Sequence, residues 1–218
     1  MPACVELSNW EGGIRANAFA SGGLLPAAVR GTKQAGLIGI SDWYRTYATL
    51  GGVDPTDHKA AAAGLPPIDS FDLWPLLSGQ NASSPRAELA IGDVTQVGGL
   101  LTSDGYKLLL GGGANHQIAQ AGWTGPQFPN TSSKWDPNKS VMSCGNSSAS
   151  GCLFRVETDP GEHENLAAAQ PQRWAAMMAR LLAINATFFA PDRGKKDPAA
   201  CAAALGRWGG FWGPWIDV

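Results

Sequence analysis

Trp10-Glu11-Gly12-Gly13-Ile14-Arg15 is the stretch from which the fold is read. Two adjacent glycines allow backbone angles closed to other residues, Trp10 is large enough to anchor a turn in a core, and Glu11 and Arg15 can fix its direction by pairing. The apolar run Ile14 to Phe19 then reads as a strand leaving that turn. Lying this near residue 1, the hexapeptide reads as the middle of a site-bearing turn whose upstream half is missing. A plain strand-entry turn would explain it too, so the rest of the chain has to decide.

The 218 residues are 44% hydrophobic, enough for a real core in one large or two small domains. A net charge of -2 with 16% charged residues leaves no basic stripe, which argues against a nucleic-acid partner and against electrostatic membrane binding. No stretch approaches a membrane span in length or apolarity. The nine tryptophans read as core anchors.

Asparagine carries a second message. Five of nine asparagines, Asn81, Asn130, Asn138, Asn146 and Asn185, head the glycosylation acceptor pattern Asn-x-Ser/Thr, where chance would give about one. Cys144 and Cys152 bracket a small glycine- and serine-rich loop suited to closure by a disulfide. A zinc role for the pair would need further ligands, and His116 and His163 lie far off in sequence. Both features predict a secreted or lysosome-like location. The first twenty residues, however, hold no basic start, apolar run and cleavage site, so the expectation is a missing N-terminal part; a leaderless cytosolic chain with accidental acceptor sites is the alternative.

Along the chain, Asp42 reads as the cap of a helix with Trp43, Tyr47 and Leu50 on its buried face, ended by Gly51 and Gly52. Residues 53–79, with Pro55, Pro66, Pro67 and Pro75, read as an irregular crossing that pins Phe71, Leu73 and Trp74 against a core. Alternating stretches at Ala87 to Ile91 and Val94 to Leu101, a tight turn at Asp104-Gly105, Tyr106 to Leu110 and Cys152 to Val156 predict an antiparallel sheet. Residues 111–151 read as a long surface loop. Asp159-Pro160-Gly161-Glu162 has the order of a helix start, which would put His163 on a first helical turn, and a longer helix from Pro171 presents Trp174, Met178, Leu181 and Phe188 to the sheet.

Taken in order, these separated motifs resemble the C-terminal part of a type I sulfatase, arylsulfatase B-like in detail. The similar segments are Trp10 to Arg15, Ile40-Ser41-Asp42-Trp43, Asp69 to Trp74, Ser83 to Leu89, Gly105 to Leu109, Asp159 to Leu166 and Trp212 to Trp215. The resemblance implies an α/β fragment of alkaline-phosphatase/sulfatase type: residues 1–80 as the edge of the large α/β domain, and residues 81–218 as a small C-terminal subdomain whose antiparallel sheet is packed by a C-terminal helix. It also implies sulfate-ester hydrolysis on a small molecule or glycan, with calcium and a formylglycine made from Cys/Ser-x-Pro-x-Arg.

Those reactive parts are sought in vain. No Cys/Ser-x-Pro-x-Arg occurs; in Ser83-Ser84-Pro85-Arg86 the arginine comes one residue early. There is no Asp-Asp pair for calcium, and the family's Asp-Asn pair would fall before Met1. Glu6 stands where the family has its last active-site lysine, a reversal of charge where sulfate would bind. Calcium and formylglycine are therefore expected only in an intact family protein, and catalytic and metal residues in this chain are expected to be none. His58 and His116 read as solvated; His163 reads as a candidate for the cleft rim. Cys201 resembles the family's late cysteine that bridges to the N-terminal domain, with Cys4 as a substitute partner. The expectation is thus the C-terminal portion of an arylsulfatase, inactive alone and partnered by a missing N-terminal sulfatase domain. The alternative is a secreted, non-catalytic module that binds sulfated glycans through aromatic faces and Arg15, Lys134 or Lys139, or that binds a full-length sulfatase.

Overall fold

Tyr106-Lys107-Leu108-Leu109 forms a strand with every residue buried, so both of its faces must be covered. A computed structural model describes residues 9–92, 97–110, 144–145, 147–187 and 197–214. Four strands, β1 (Glu88–Gly92), β2 (Val97–Thr102), β3 (Tyr106–Leu109) and β4 (Cys152–Arg155), pair in chain order as an antiparallel sheet. The register sets Leu100 beside Leu108 and Leu108 beside Leu153, and on the other face Leu101 beside Lys107 and Lys107 beside Phe154. The turn into β3 closes at Gly105, whose φ of +78° is left-handed and whose missing Cβ would lie 2.5 Å from the Glu157 side chain.

The α-helical segments are α1 (Glu11–Ile14), α2 (Asp42–Leu50), α3 (His58–Ala62), α4 (Trp74–Leu77), α5 (Pro171–Thr187) and α6 (Pro198–Gly206), of which α5 lies on this sheet. Proline at the first position starts α5 without the loss of a needed donor. Its Met177, Met178 and Leu181 pack on Leu100, Tyr106, Leu108 and Leu153, with Trp174 and Ile184 alongside. The opposite face gathers Leu109, Cys152, Phe154 and Val156, with Trp10 and Leu101 against them. Each fully buried leucine in this sandwich stabilises by roughly 1.5–3 kcal/mol. The antiparallel sheet and the helix lying on it are therefore as the sequence predicts; β2 is described from Val97 on, and residues 93–96 and Phe188 lie outside the described residues.

Three local expectations fail. Ile14 to Phe19 is not a strand: Gly13 and Ile14 both donate to the Trp10 carbonyl, at 2.8 and 3.1 Å, which spends Ile14 in the one-turn α1, and Phe19 is left 90% exposed with no ladder partner. Asp159 starts no helix. Its carboxylate accepts N–H bonds from His163 and Glu164, as a cap would, but Glu162 takes φ +54°, and that left-handed residue turns the chain out of a helical path. The protected side of α2 is not Trp43, Tyr47 and Leu50 but the polar Asp42 and Thr46. The crossing at 53–79 does bury Leu73, along with Leu76, and holds the short α3 and α4; Phe71 stays 39% exposed.

The chain divides into two compact units, Met1–Phe188 and Phe189–Val218. In the second, Asp197 caps α6 by accepting the Ala199 N–H at 2.9 Å. After it, the Trp208 indole donates to the Pro214 carbonyl at 2.9 Å. No helix among the described residues is long and apolar enough to cross a membrane.

Candidate functional site

A lysine at the centre of an apolar strand needs a partner for its charge, because burying an isolated ammonium is far costlier than any packing gain. Lys107 is 0% exposed, on the face of β3 that Trp10 and Phe154 cover. Its Nζ lies 2.8 Å from Glu11 Oε1 and 2.7 Å from Glu162 Oε1. The two glutamates are joined in turn, since the Glu11 backbone N–H donates to Glu162 Oε2 at 2.7 Å. Arg15 reaches the outer oxygen of Glu11 at 3.6 Å, from solvent. Trp10, whose ring centre is 5.5 Å from that of Phe154, roofs the group.

The balance inside this cluster is uneven. Glu162 Oε1 touches the ammonium without the alignment of a hydrogen bond. Burial pushes the Glu162 carboxyl above its ordinary value of 4.5, and the nearby Lys107 charge offsets that only in part. Its left-handed backbone costs roughly 1–2 kcal/mol more, a conformation held because it aims the carboxylate at Lys107 and at the Glu11 N–H.

A second buried cluster centres on Arg86. Its Nε and Nη2 grip Asp42 with both oxygens engaged, at 2.7 and 2.6 Å, and Nη2 reaches Asp69 at 3.0 Å. Asp42 is 0% exposed, yet well solvated by protein: Gly39 and Phe71 donate backbone N–H bonds to it at 2.7 and 2.9 Å. Burial raises its carboxyl, but the hydrogen bonds from Arg86, Phe71 and Gly39 outweigh burial and hold it below 3.8. The hydrogen bond to Asp42 likewise raises the Arg86 guanidinium. Around the pair, Thr46 accepts the Leu73 N–H, Ser70 donates to the Ser41 carbonyl, and Ser84 donates to the Leu37 carbonyl.

Six of the seven segments that carry the family resemblance meet in these two clusters. Glu11, Lys107 and Glu162 come from three of them; Asp42, Asp69 and Arg86 come from another three. None of these roles except the Glu11–Arg15 pairing is expected from the sequence. One signal was there: an unmatched lysine in Tyr106-Lys107-Leu108-Leu109, on the same strand face as Leu109, demands carboxylates from elsewhere.

The residues singled out in the sequence fall apart from these clusters. Cys144 and Cys152 are joined by a disulfide that ties the end of the long loop to β4. Asn81 is exposed after α4, Asn185 is half-buried in α5, and Asn130, Asn138 and Asn146 lie outside the described residues. Glu6, Cys4, His116, Lys134 and Lys139 also lie outside them. His163 sits on an irregular turn, with its ring nitrogen 3.9 Å from Asp159, and His58 pairs with Asp54 at 3.2 Å on the surface. Cys201 is an exposed thiol. Ser84 and Arg86 are both taken up in framework bonds, as their place in the resemblance implies.

Chemically, the clusters are saturated joints: each carboxylate already faces a cation. Neither fits calcium, because Lys107 and Arg86 occupy the positions a metal would take, and among the described residues no three His, Cys, Asp or Glu side chains are grouped to hold one. With no Cys/Ser-x-Pro-x-Arg in the sequence, nothing here fits a formylglycine either. What the joints do is fix the Trp10 turn and the α2 helix to the sheet.

No family model matches the chain. Over 229 residues it is 28% identical to mouse (Mus musculus) Arylsulfatase J, a match that covers 94% of this chain and 34% of that protein. A solved Bacteroides thetaiotaomicron chain, described with the metabolism of multiple glycosaminoglycans and labelled 6S-sulf, matches with a TM-score of 0.38 and 17% identity, covering 66% of this chain and 24% of the other. The chain thus spans about a third of the length of its curated relative. The sulfatase resemblance drawn from separated motifs holds across nearly the whole of this sequence, at a length consistent with a C-terminal sulfatase portion.

Proposed function

We propose that this chain is the C-terminal framework of an arylsulfatase-type sulfuric ester hydrolase, and that it does not hydrolyse sulfate esters by itself. The observation that carries the reading is the convergence of the resembling segments: charges from six of them, up to 151 residues apart, meet in two buried clusters. In such an enzyme the hydrated aldehyde of a formylglycine would supply the attacking oxygen, with a divalent cation at the sulfate. This chain's residues would act earlier, by holding in place the turn at Trp10, and with it whatever polypeptide precedes that turn.

The domain division at residue 80, the secreted or lysosomal location and glycosylation at the five asparagines belong to the same proposal. The acceptor sites and the Cys144–Cys152 disulfide support an oxidising compartment. His163, partly exposed beside Glu162, is kept as the residue for a cleft rim.

The test is direct. The purified 218-residue chain, assayed with a chromogenic aryl sulfate and calcium, is expected to give no turnover above blank. Turnover that follows the protein through purification would overturn the proposal.

A further inference from the structure

The Trp10 turn is held by charge as much as by packing. Every residue from 15 to 24 is exposed, so the chain that leaves the turn does not anchor it. It is tied to distant segments by the Trp10 ring on Phe154, by the Glu11 carboxylate on Lys107 and by the Glu11 N–H on Glu162. Two of these ties run through one buried cluster whose charges do not balance, since two nearly inaccessible carboxylates share a single ammonium. Arg15 does not correct this: its side chain is 64% exposed and reaches only the outer oxygen of Glu11, at 3.6 Å, where solvent screens it. The imbalance falls on Glu162 Oε1, which lies 2.7 Å from the Lys107 ammonium without an aligned hydrogen bond. A carboxylate left this way away from water is relieved by taking up a proton. Burial does hold the Glu162 carboxyl above its ordinary value, and the Glu11 charge pushes the same way.

We propose that the Glu11–Lys107–Glu162 cluster is a proton-operated latch on the Trp10 turn. A proton on Glu162 balances the cluster and closes the turn onto the sheet; its loss leaves two carboxylates competing for one ammonium and lets the turn open while the sheet and α5 stay folded. With Glu162 neutral, Lys107 answers to Glu11 alone, and the sum of the three charges goes from one negative to zero. Opening is local because α5 packs on Leu100, Tyr106, Leu108 and Leu153, on the face of the sheet away from Lys107. The charged groups facing Glu162 are Lys107 from β3 and Glu11 from α1, with Arg15 beyond Glu11. From β4, Arg155 turns to the opposite face, over the Tyr106 ring, and pairs with Glu157 at 3.6 Å. In its own turn, Asp159 accepts the His163 and Glu164 N–H groups and lies 3.9 Å from the His163 ring. Because the folded-state value of Glu162 is raised, the latch is closed below 4.5 and weakens as pH rises through that folded value. What it would govern is the polypeptide ahead of Trp10, and that consequence rests on the proposed function; the latch itself rests on the cluster.

The experiment is hydrogen exchange on the full 218-residue chain, read by mass spectrometry on peptides that cover residues 10–15, β3 and α5. It runs from about pH 4.5 to about pH 7.5, with the chemical exchange rate corrected for pH. Protection of residues 10–15 is expected to fall about tenfold across that range, while β3 and α5 hold theirs. Glu162→Gln, which fixes the neutral shape, is expected to keep the turn protected throughout. Glu11→Gln removes the other carboxylate charge and is expected to flatten the profile as well, so either variant that keeps its fold by circular dichroism suffices. His163→Gln is expected to leave the wild-type profile unchanged. A wild-type turn whose protection does not change with pH overturns the latch, and so does a loss that β3 and α5 share, which is general unfolding. A profile that survives the carboxylate variants, or that His163→Gln abolishes, overturns it too. Aryl sulfate turnover is read separately and bears on the hydrolytic reading alone.

Discussion

The two buried ion clusters do the same job with opposite electrostatics. Around Arg86, a planar fork meets one carboxylate with both oxygens engaged, and two backbone N–H groups complete its solvation. Around Lys107, a single point charge is shared by two carboxylates, and one of the oxygens lacks an aligned hydrogen bond. The first holds its acid ionised more firmly than water does; the second holds one of its acids less firmly. Burial alone does not decide the sign, since Asp42 and Glu162 are both nearly inaccessible. The count of donors does.

The largest effect should come from Lys107→Met. It removes the buried cation that sits between Glu11 and Glu162, so the loss of folding stability is expected at about 3–5 kcal/mol, the range for breaking a buried pair. Urea denaturation of the full chain measures it. A loss below about 1 kcal/mol would mean that Arg15 and solvent already neutralise the cluster, and the contrast drawn above would fail. Arg86→Met should cost less, near about 3 kcal/mol, because Asp42 keeps the N–H bonds from Gly39 and Phe71 when the guanidinium goes. If Arg86→Met proves the more damaging of the two, donor count is not what separates the clusters.

This contrast also marks what the sequence could and could not disclose. The sheet was legible because its signals are local: period-two alternation, Asp104-Gly105 as a turn, and prolines and glycines between segments. The helix from Pro171 and the Cys144–Cys152 disulfide were legible for the same reason. Glu162 was not. Its neighbours spell a helix start, and only Lys107 and the Glu11 N–H, the latter 151 residues away, make a left-handed turn there worthwhile. For α2, the pattern rule sends aromatic residues inward, whereas Arg86, 44 residues on from Asp42, pulls the polar side in. Ile14 to Phe19 failed as a strand for want of a neighbour to pair with, which no local pattern reveals. The charge clusters were thus invisible one residue at a time, though the ordered motifs that supply them were what made the resemblance readable.

The smallest expected effect is the most discriminating, because the clusters should answer pH with opposite signs. Asp42 has its folded-state value below 3.8, so its contribution is present above that pH and is lost as pH falls through the folded value. Glu162 has its folded-state value above 4.5, so its contribution is present below that pH and is lost as pH rises through the folded value. Urea midpoints taken from about pH 3 to about pH 7.5 separate the two. Asp42→Asn should flatten the acid limb and leave the upper one unchanged. Glu162→Gln keeps the shape of a protonated glutamate and should flatten the decline that begins above 4.5 while sparing the acid limb. Arg15→Ala, which strips the solvent-side cation from Glu11, serves as the control: if it steepens the upper limb, the excess carboxylate charge in the Lys107 cluster is real. If Glu162→Gln leaves the upper limb as steep as in the wild type, Lys107 fully balances both glutamates, and the two clusters differ in geometry only.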